Sequence, residues 1–325
     1  MSMRCDRRGF LLGAGAFLAA GARPARAGAS RILGGPAFGS YWRAVLPEGS
    51  DAAAAGAAIE TVVRSVDAAM SPYRADSEIG RFNRDPLPGP KAVTAPTRAV
   101  VAEALAIARL TGGAFDPTIG PLVARYGFGP VTGIAGGLDT LGVLPDAVEK
   151  SAGGTTLDLC GIAKGHALDR AAAALAALGI ADALVEMGGE IHAAGRHPEG
   201  RAWQVAVEAP AAEGPMTVQR IVTLADERMA SSGIAPNGFR EGGRNTTHII
   251  DPRSGRPLAG RLAVVSVIAP SGATADALAT ALMVLGEEEG MALAEREGMA
   301  ALFLVTDGPG LREVMTDRFR ARILA

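Results

Sequence analysis

Cysteine is nearly absent. The 325 residues contain two, Cys5 and Cys160. Cys5 lies in a segment expected to be removed, so no disulfide can form within the mature chain and no cysteine cluster can capture a metal. Histidine is almost as scarce. The four present, His166, His192, His197 and His248, include no i, i+4 pair, which excludes a zinc-hydrolase helix. Aromatics make up 4%, and no basic patch interleaved with aromatics occurs, so nucleic acid is not an expected partner. The apolar run over residues 9–22 is too short for a comfortable membrane span.

What is present suits a globular fold. The chain is 48% hydrophobic and 20% charged, which predicts a packed core. Residues 1–27 read as a leader. Arg7 and Arg8 precede Gly-Phe-Leu-Leu and a short apolar stretch, and Ala25-Arg26-Ala27 offers small residues at cleavage spacing. The arginine pair points to twin-arginine export to the periplasm or the outer face of the inner membrane. An uncleaved N-terminal anchor is the other reading. The leader carries five Arg and one Asp, so of the formal charge of −2 the remainder bears about −6, an ordinary soluble surface. Residues 28–325 are expected to form one domain.

Residues 41–46 alternate as a strand. Residues 51–70 have helical periodicity with Asp51 as cap, and residues 97–111 predict a second helix closed by Gly112-Gly113. Residues 71–90 and 226–260 read as polar loops, and residues 130–154 as weakly patterned. Residues 155–180 predict a short strand, a glycine turn and a helix. A buried strand is expected to break at Gly188-Gly189 and resume, and its His192 reads as structural. Further strands are expected near 203–209, 219–225, 263–269 and from 301, with a helix over 274–297. Strands and helices mix without regular alternation, so the fold class is α+β.

Several motifs bear chemistry. Asp276 and Thr280 share a helix face and can present two hard oxygen ligands to a divalent cation, most naturally Mg2+. The alternative is a first-turn Asp that complements the helix dipole. His248, three residues before Asp251 in a turn-rich loop, could manage a proton. In Asp158–Asp169, Gly161, Lys164 and Gly165 precede a helix, a natural anion seat or simply a helix start with an exposed lysine. In GGAFDPTIGPL, Phe115 could stack on a planar ring and Asp116 could accept ring or ribose hydrogen bonds; a plain Asp-Pro turn with a core Phe fits equally. Ser231-Ser232-Gly233 could supply hydroxyl and amide donors. Cys160, beside a ligand turn, reads as packing.

Taken in order, SPYRADSEIGRFN, GGAFDPTIGPL, DLCGIAKGHALD, EMGGEI, SSG, THIIDPRSG and ADALATALMVLG resemble the ApbE family, the FAD:protein FMN transferases. The resemblance runs from about residue 38 to 305. It implies an ApbE-type (T-fold-like) domain that binds FAD and Mg2+, cleaves the FAD pyrophosphate, passes FMN to a threonine hydroxyl of a target flavoprotein and releases AMP. It implies Asp276, Thr280 and the carbonyl near Gly161 as Mg2+ ligands. It implies Tyr73, Ala114, Phe115, Asp116, Asp158, Lys164 and the backbone near Ile249 as FAD contacts, and His248 as base toward the acceptor. Acceptors would be envelope electron-transport subunits or reductase domains, with membrane proximity through them. A Mg-dependent FAD pyrophosphatase and a non-catalytic flavin-binding envelope protein are the alternatives. The chain departs from the family pattern at Phe38-Gly39-Ser40 and Thr247, and at Glu190, where Asn or Asp is common.

Overall fold

The computed structural model describes residues 30–210, 216–234, 239–241, 244–308 and 310–324. The export signal expected over residues 1–27 lies outside the described residues. Among the described residues seven α-helices form: α1 Ala52–Met70, α2 Glu78–Arg84, α3 Ala95–Leu110, α4 Gly120–Arg125, α5 Ala163–Ala177, α6 Gly272–Arg296 and α7 Asp317–Arg320. Local chemistry sets their ends. Asp51 Oδ1 accepts the Ala54 amide at 3.0 Å, as the sequence predicts for α1. α3 stops at Thr111, where Gly112 (φ 60°) and Gly113 (φ 83°) turn the chain in a conformation that glycine adopts without strain. α6 breaks at Gly286 (φ 81°, ψ −174°).

The main sheet has eight strands, numbered within that sheet: β1 Ser30–Ala37, β2 Ser40–Pro47, β3 Ala183–Met187, β4 Glu190–Ala194, β5 Glu227–Gly233, β6 Leu262–Ala269, β7 Ala300–Asp307 and β8 Gly310–Met315. They lie side by side in chain order, and every neighbouring pair is antiparallel. Both faces are buried, which is why the β6 and β7 sequences are nearly continuous apolar runs. Trp42, Val185, Met187, Val265, Val267 and Phe303 pack toward the helices. Val45, Leu184, Met229, Ile268, Leu302 and Leu304 pack toward a hairpin, Trp203–Pro210 with Met216–Leu224, and toward Phe319 of α7. The class is α+β, as expected.

Four local expectations are corrected. Residues 71–90 contain α2, started by Ser77, whose Oγ accepts the Gly80 amide at 2.8 Å, and held by buried Ile79 and Phe82. Residues 130–154 supply Leu141–Val143 and Ala147–Lys150 to a three-stranded sheet with Gly89–Ala92. Gly188-Gly189 reverse the chain in a two-residue turn between β3 and β4, with φ of 65° and 105°, instead of interrupting one strand. The loop expected over 226–260 contributes the inner strand β5.

Lys150 fixes the small sheet to α2. Its side chain is fully buried, its ammonium lies 4.6 Å over the Phe82 ring, and Nζ donates to the carbonyls of Phe82 at 2.8 Å and Thr155 at 3.3 Å. A buried ammonium is tolerated only with such acceptors.

Candidate active site

The segment before α5 was expected to be a strand. It is extended but carries no ladder beyond one bridge, Thr155 to Ile134. Side chains satisfy its backbone instead. Asn83 on α2 donates from Nδ2 to the Leu157 carbonyl (2.8 Å) and accepts the Leu157 amide on Oδ1 (2.7 Å). The Asp158 amide donates to the Pro117 carbonyl (2.7 Å) and its carboxylate accepts the Cys160 amide (3.0 Å). This turn carries Gly161. A methyl group added there would stand 3.2 Å from the Phe115 ring and 3.7 Å from Thr280 Oγ1. Phe115, Gly161 and Thr280 are therefore brought together from three elements.

The N-termini of α5 and α6 abut. A Cβ on Gly165 would lie 2.0 Å from the Gly272 carbonyl oxygen, so no larger residue fits. Asp169 on α5 accepts the Gly272 amide (2.7 Å) and the Ser271 hydroxyl (3.2 Å), and it also pairs with Arg228 (3.0 Å). Asp276 on α6 accepts the Gly165 amide (3.2 Å). Asp276 is 4% exposed, and burial raises its pKa against the opposing pull of Lys164. One turn on, Thr280 Oγ1 lies 3.1 Å from Ser232 Oγ of β5.

Lys164 pairs with Glu190 at the start of β4. Burial opposes the lysine charge, but Glu190 and Asp276 outweigh it and hold the ammonium above the usual lysine range. Burial pushes Glu190 up to about 7 despite Lys164. Its Oε2 is buried with no hydrogen-bond partner. When both are ionised, the two carboxylates outnumber the one ammonium, a balance that a bound cation would favour. Asp276, Thr280 and the Gly161 turn provide oxygen donors alone, the set a hard divalent ion prefers. Among the described residues, no group of three or more His, Cys, Asp or Glu side chains could hold a metal.

His248 enters from the loop before Ile250–Asp251. Thr247 Oγ1 accepts the Ile249 amide (3.1 Å), and the Ile249 carbonyl accepts the Leu258 amide (2.9 Å). Burial, then the Lys164 charge, lowers the His248 pKa, and its Nδ1 is buried without a hydrogen-bond partner. The Phe128 ring meets the imidazole edge-on at 6.2 Å. The Tyr73 hydroxyl donates to the Phe128 carbonyl (3.1 Å), and the Tyr126 hydroxyl to the Gly255 carbonyl (3.2 Å). Arg253 in the same loop donates to Glu289 (2.9 Å) and to the Val284 carbonyl (3.4 Å), tying the loop to α6 at its break.

Tyr73, Phe115, Asp158, Gly161, Lys164, His248, Asp276 and Thr280 thus lie in one neighbourhood, joined by contacts or by electrostatic influence. Tyr73 reaches His248 through Phe128, and Lys164 links His248 electrostatically to Asp276. Ala114 and Phe115 are buried beside the Gly161 turn. Asp116 Oδ1 is engaged by Thr118, through its amide (2.7 Å) and hydroxyl (2.6 Å), so that oxygen serves the turn. His192 is buried, 3.9 Å from Asp169, with burial lowering its pKa to about 4, a setting compatible with the structural role expected of it. Cys160 is exposed rather than packed. Phe128 and the contact between Lys164 and Glu190 carried no signal in the sequence, and Asn83 entered only as the end of the motif SPYRADSEIGRFN, with no role assigned to it.

A family model described as the ApbE family matches residues 38–303. The FAD:protein FMN transferase of Vibrio cholerae (strain O395) is 36% identical over 309 residues, covering 89% of this chain and 91% of that protein. The Escherichia coli K12 protein of the same name is 31% identical over 326 residues, covering 93% and 92%. Among solved structures, flavin transferase ApbE from Vibrio cholerae superposes with a TM-score of 0.81 at 34% identity, covering 90% of this chain and all of that one. The apo Pseudomonas stutzeri flavinyl transferase ApbE gives 0.80 at 34%, covering 90% and 96%. With a family match across most of the sequence and relatives above 30% identity over nearly its full length, the chain belongs to the ApbE family.

Proposed function

We propose that this protein transfers FMN from FAD to a threonine hydroxyl of a target flavoprotein, using Mg2+ and releasing AMP. The observation that carries the reading is the convergence of Asp276, Thr280 and the Gly161 turn beside Lys164, with His248 in the same electrostatic neighbourhood. The names of its relatives support the donor and the kind of acceptor. Asp276, Thr280 and the Gly161 carbonyl would hold Mg2+, which supplies charge neutralisation at the pyrophosphate.

The chain's own groups do the rest. Tyr73, 67% exposed, and Phe115, buried against the Gly161 turn, would contact the FAD. Lys164 stabilises charge that develops on the departing AMP. His248, kept neutral by burial and by the neighbouring ammonium, takes the proton from the acceptor hydroxyl. The threonine oxygen forms a bond to the FMN phosphorus as the bond from that phosphorus to the bridging oxygen breaks, and the bridging oxygen leaves with AMP.

The arginine pair and short apolar run of residues 1–27 support export, and with it an acceptor in the periplasm or on the outer face of the membrane. The test is to incubate the protein with FAD, Mg2+ and candidate envelope flavoproteins. A covalent flavin on threonine with AMP in equal amount is expected. AMP without any adduct would favour the pyrophosphatase, and bound FAD without turnover a passive binder.

A further inference from the structure

We propose that Ser232 is a positioning residue for the cation site, acting through Thr280. The inference rests on the cation reading of the Asp276–Thr280 pair. A threonine inside a helix ordinarily donates its hydroxyl back to the carbonyl four residues earlier. The hydroxyl of Thr280 instead meets Ser232 Oγ, 3.1 Å away across the interface between α6 and β5. Either oxygen can donate in that pair. A cation on Thr280 removes the ambiguity, because a hydroxyl that gives a lone pair to a metal must send its proton elsewhere. Ser232 is the acceptor in place, which leaves a lone pair of Thr280 for the side of the Gly161 turn, where a methyl group added to Gly161 would stand 3.7 Å from the same oxygen. Metal ligands are commonly oriented by such an outer partner, whose loss costs about 10- to 100-fold in metal affinity.

The strand explains why only one of two adjacent serines serves. Side chains alternate faces along β5. Ser231 points to the opposite face and pairs with Ser266 of β6, its register partner, at 2.7 Å. Ser232 points to the helix face, as does its neighbour at i−2, Ala230, which packs in the helix-side core. The register of β5 between β4 and β6 therefore decides which hydroxyl reaches α6.

The test uses Mn2+ as probe, with bound and free ion separated by electron paramagnetic resonance, on the whole protein saturated with FAD. Wild type, Asp276→Ala, Ser232→Ala and Ser232→Thr are compared, with melting temperatures taken in EDTA. Ser232→Ala is expected to weaken Mn2+ by about tenfold or more, Ser232→Thr to stay within about twofold of wild type because it keeps a hydroxyl, and the metal-free melting temperature to move little. Mn2+ affinity unchanged in Ser232→Ala, while Asp276→Ala abolishes binding, would overturn the role of Ser232 and leave the cation site standing. A Ser232→Ala protein that melts earlier in EDTA but binds Mn2+ normally would show a purely structural hydroxyl and also overturn it. Wild type without Mn2+ binding would remove the cation reading itself, and this inference with it.

Discussion

Asp169 and Asp276 each cap the helix that carries the other. Asp169 on α5 receives the Gly272 amide of α6, and Asp276 on α6 receives the Gly165 amide of α5. Each carboxylate meets the positive end of the opposite helix dipole, where negative charge is favoured. The pairing fixes the register of the two helices, and with it the position of Asp276 beside Lys164.

Asp169→Ala removes the acceptor for Gly272, Ser271 and Arg228 in one step. Loss of a cap of this kind costs about 1–2 kcal/mol. Urea unfolding should show that loss with an unchanged slope. A change under about 0.5 kcal/mol would mean that α6 does not depend on this cap.

Two glycines should answer in opposite directions to alanine. At Gly165 the new methyl would meet the Gly272 backbone, which cannot step aside, so a loss of at least about 3 kcal/mol or failure to fold is expected. At Gly56, inside α1, nothing lies within 4 Å, and a gain of about 0.5–1 kcal/mol is expected. Thermal melts of both variants check the pair, and a well-folded Gly165→Ala protein would show that the helix ends are less tightly abutted than the structure has them.

Much of this neighbourhood could be read in the chain, and the reasons for the remainder are physical. Asp276 and Thr280 announce themselves because their relation is local: four residues on one helix. Asp51 announces α1 for the same reason. β5 hides because its sequence, ERMASSG, is polar, and its serines find hydroxyl partners 35 and 48 residues away, on β6 and α6. α2 hides because two apolar residues, Ile79 and Phe82, anchor it in a charged stretch. The turn at Gly188-Gly189 resembles a break in one strand until the partners Met187 and Glu190 are seen to pair with each other. The Lys164–Glu190 contact joins residues 26 apart on different elements, which no periodicity reveals.

Glu190 should leave a mark on stability against pH. Its carboxyl is raised from 4.5 to about 7, with burial as the largest cause. Between those values the folded protein holds a proton that the unfolded chain has released, so stability falls as pH rises through that window. Glu190→Gln should flatten the slope, a difference of roughly 1–3 kcal/mol across the window. Equal slopes in the two proteins, from urea melts between pH 4.5 and 7.5, would mean that Glu190 is ionised throughout.

His248 sets the expected acid limb of transfer. A base must be neutral to accept a proton, and burial with the Lys164 charge holds its pKa below 6.5. Activity should therefore persist below pH 6.5 and fall only as the imidazole protonates at lower pH. His248→Ala should slow transfer by about 10²- to 10⁴-fold while FAD still binds. A variant with unchanged transfer, or a wild-type limb centred above pH 7, would remove His248 from the proton step.

The most direct test is the intact mass of an acceptor flavoprotein after incubation with FAD, run with Mg2+ or with EDTA, and with wild type or Asp276→Ala. A flavin adduct on threonine, matched by AMP, should form with wild type and Mg2+ and be lost in the other arms. Equal modification in EDTA, or by Asp276→Ala, would contradict the claim that α6 grips the ion on which transfer depends.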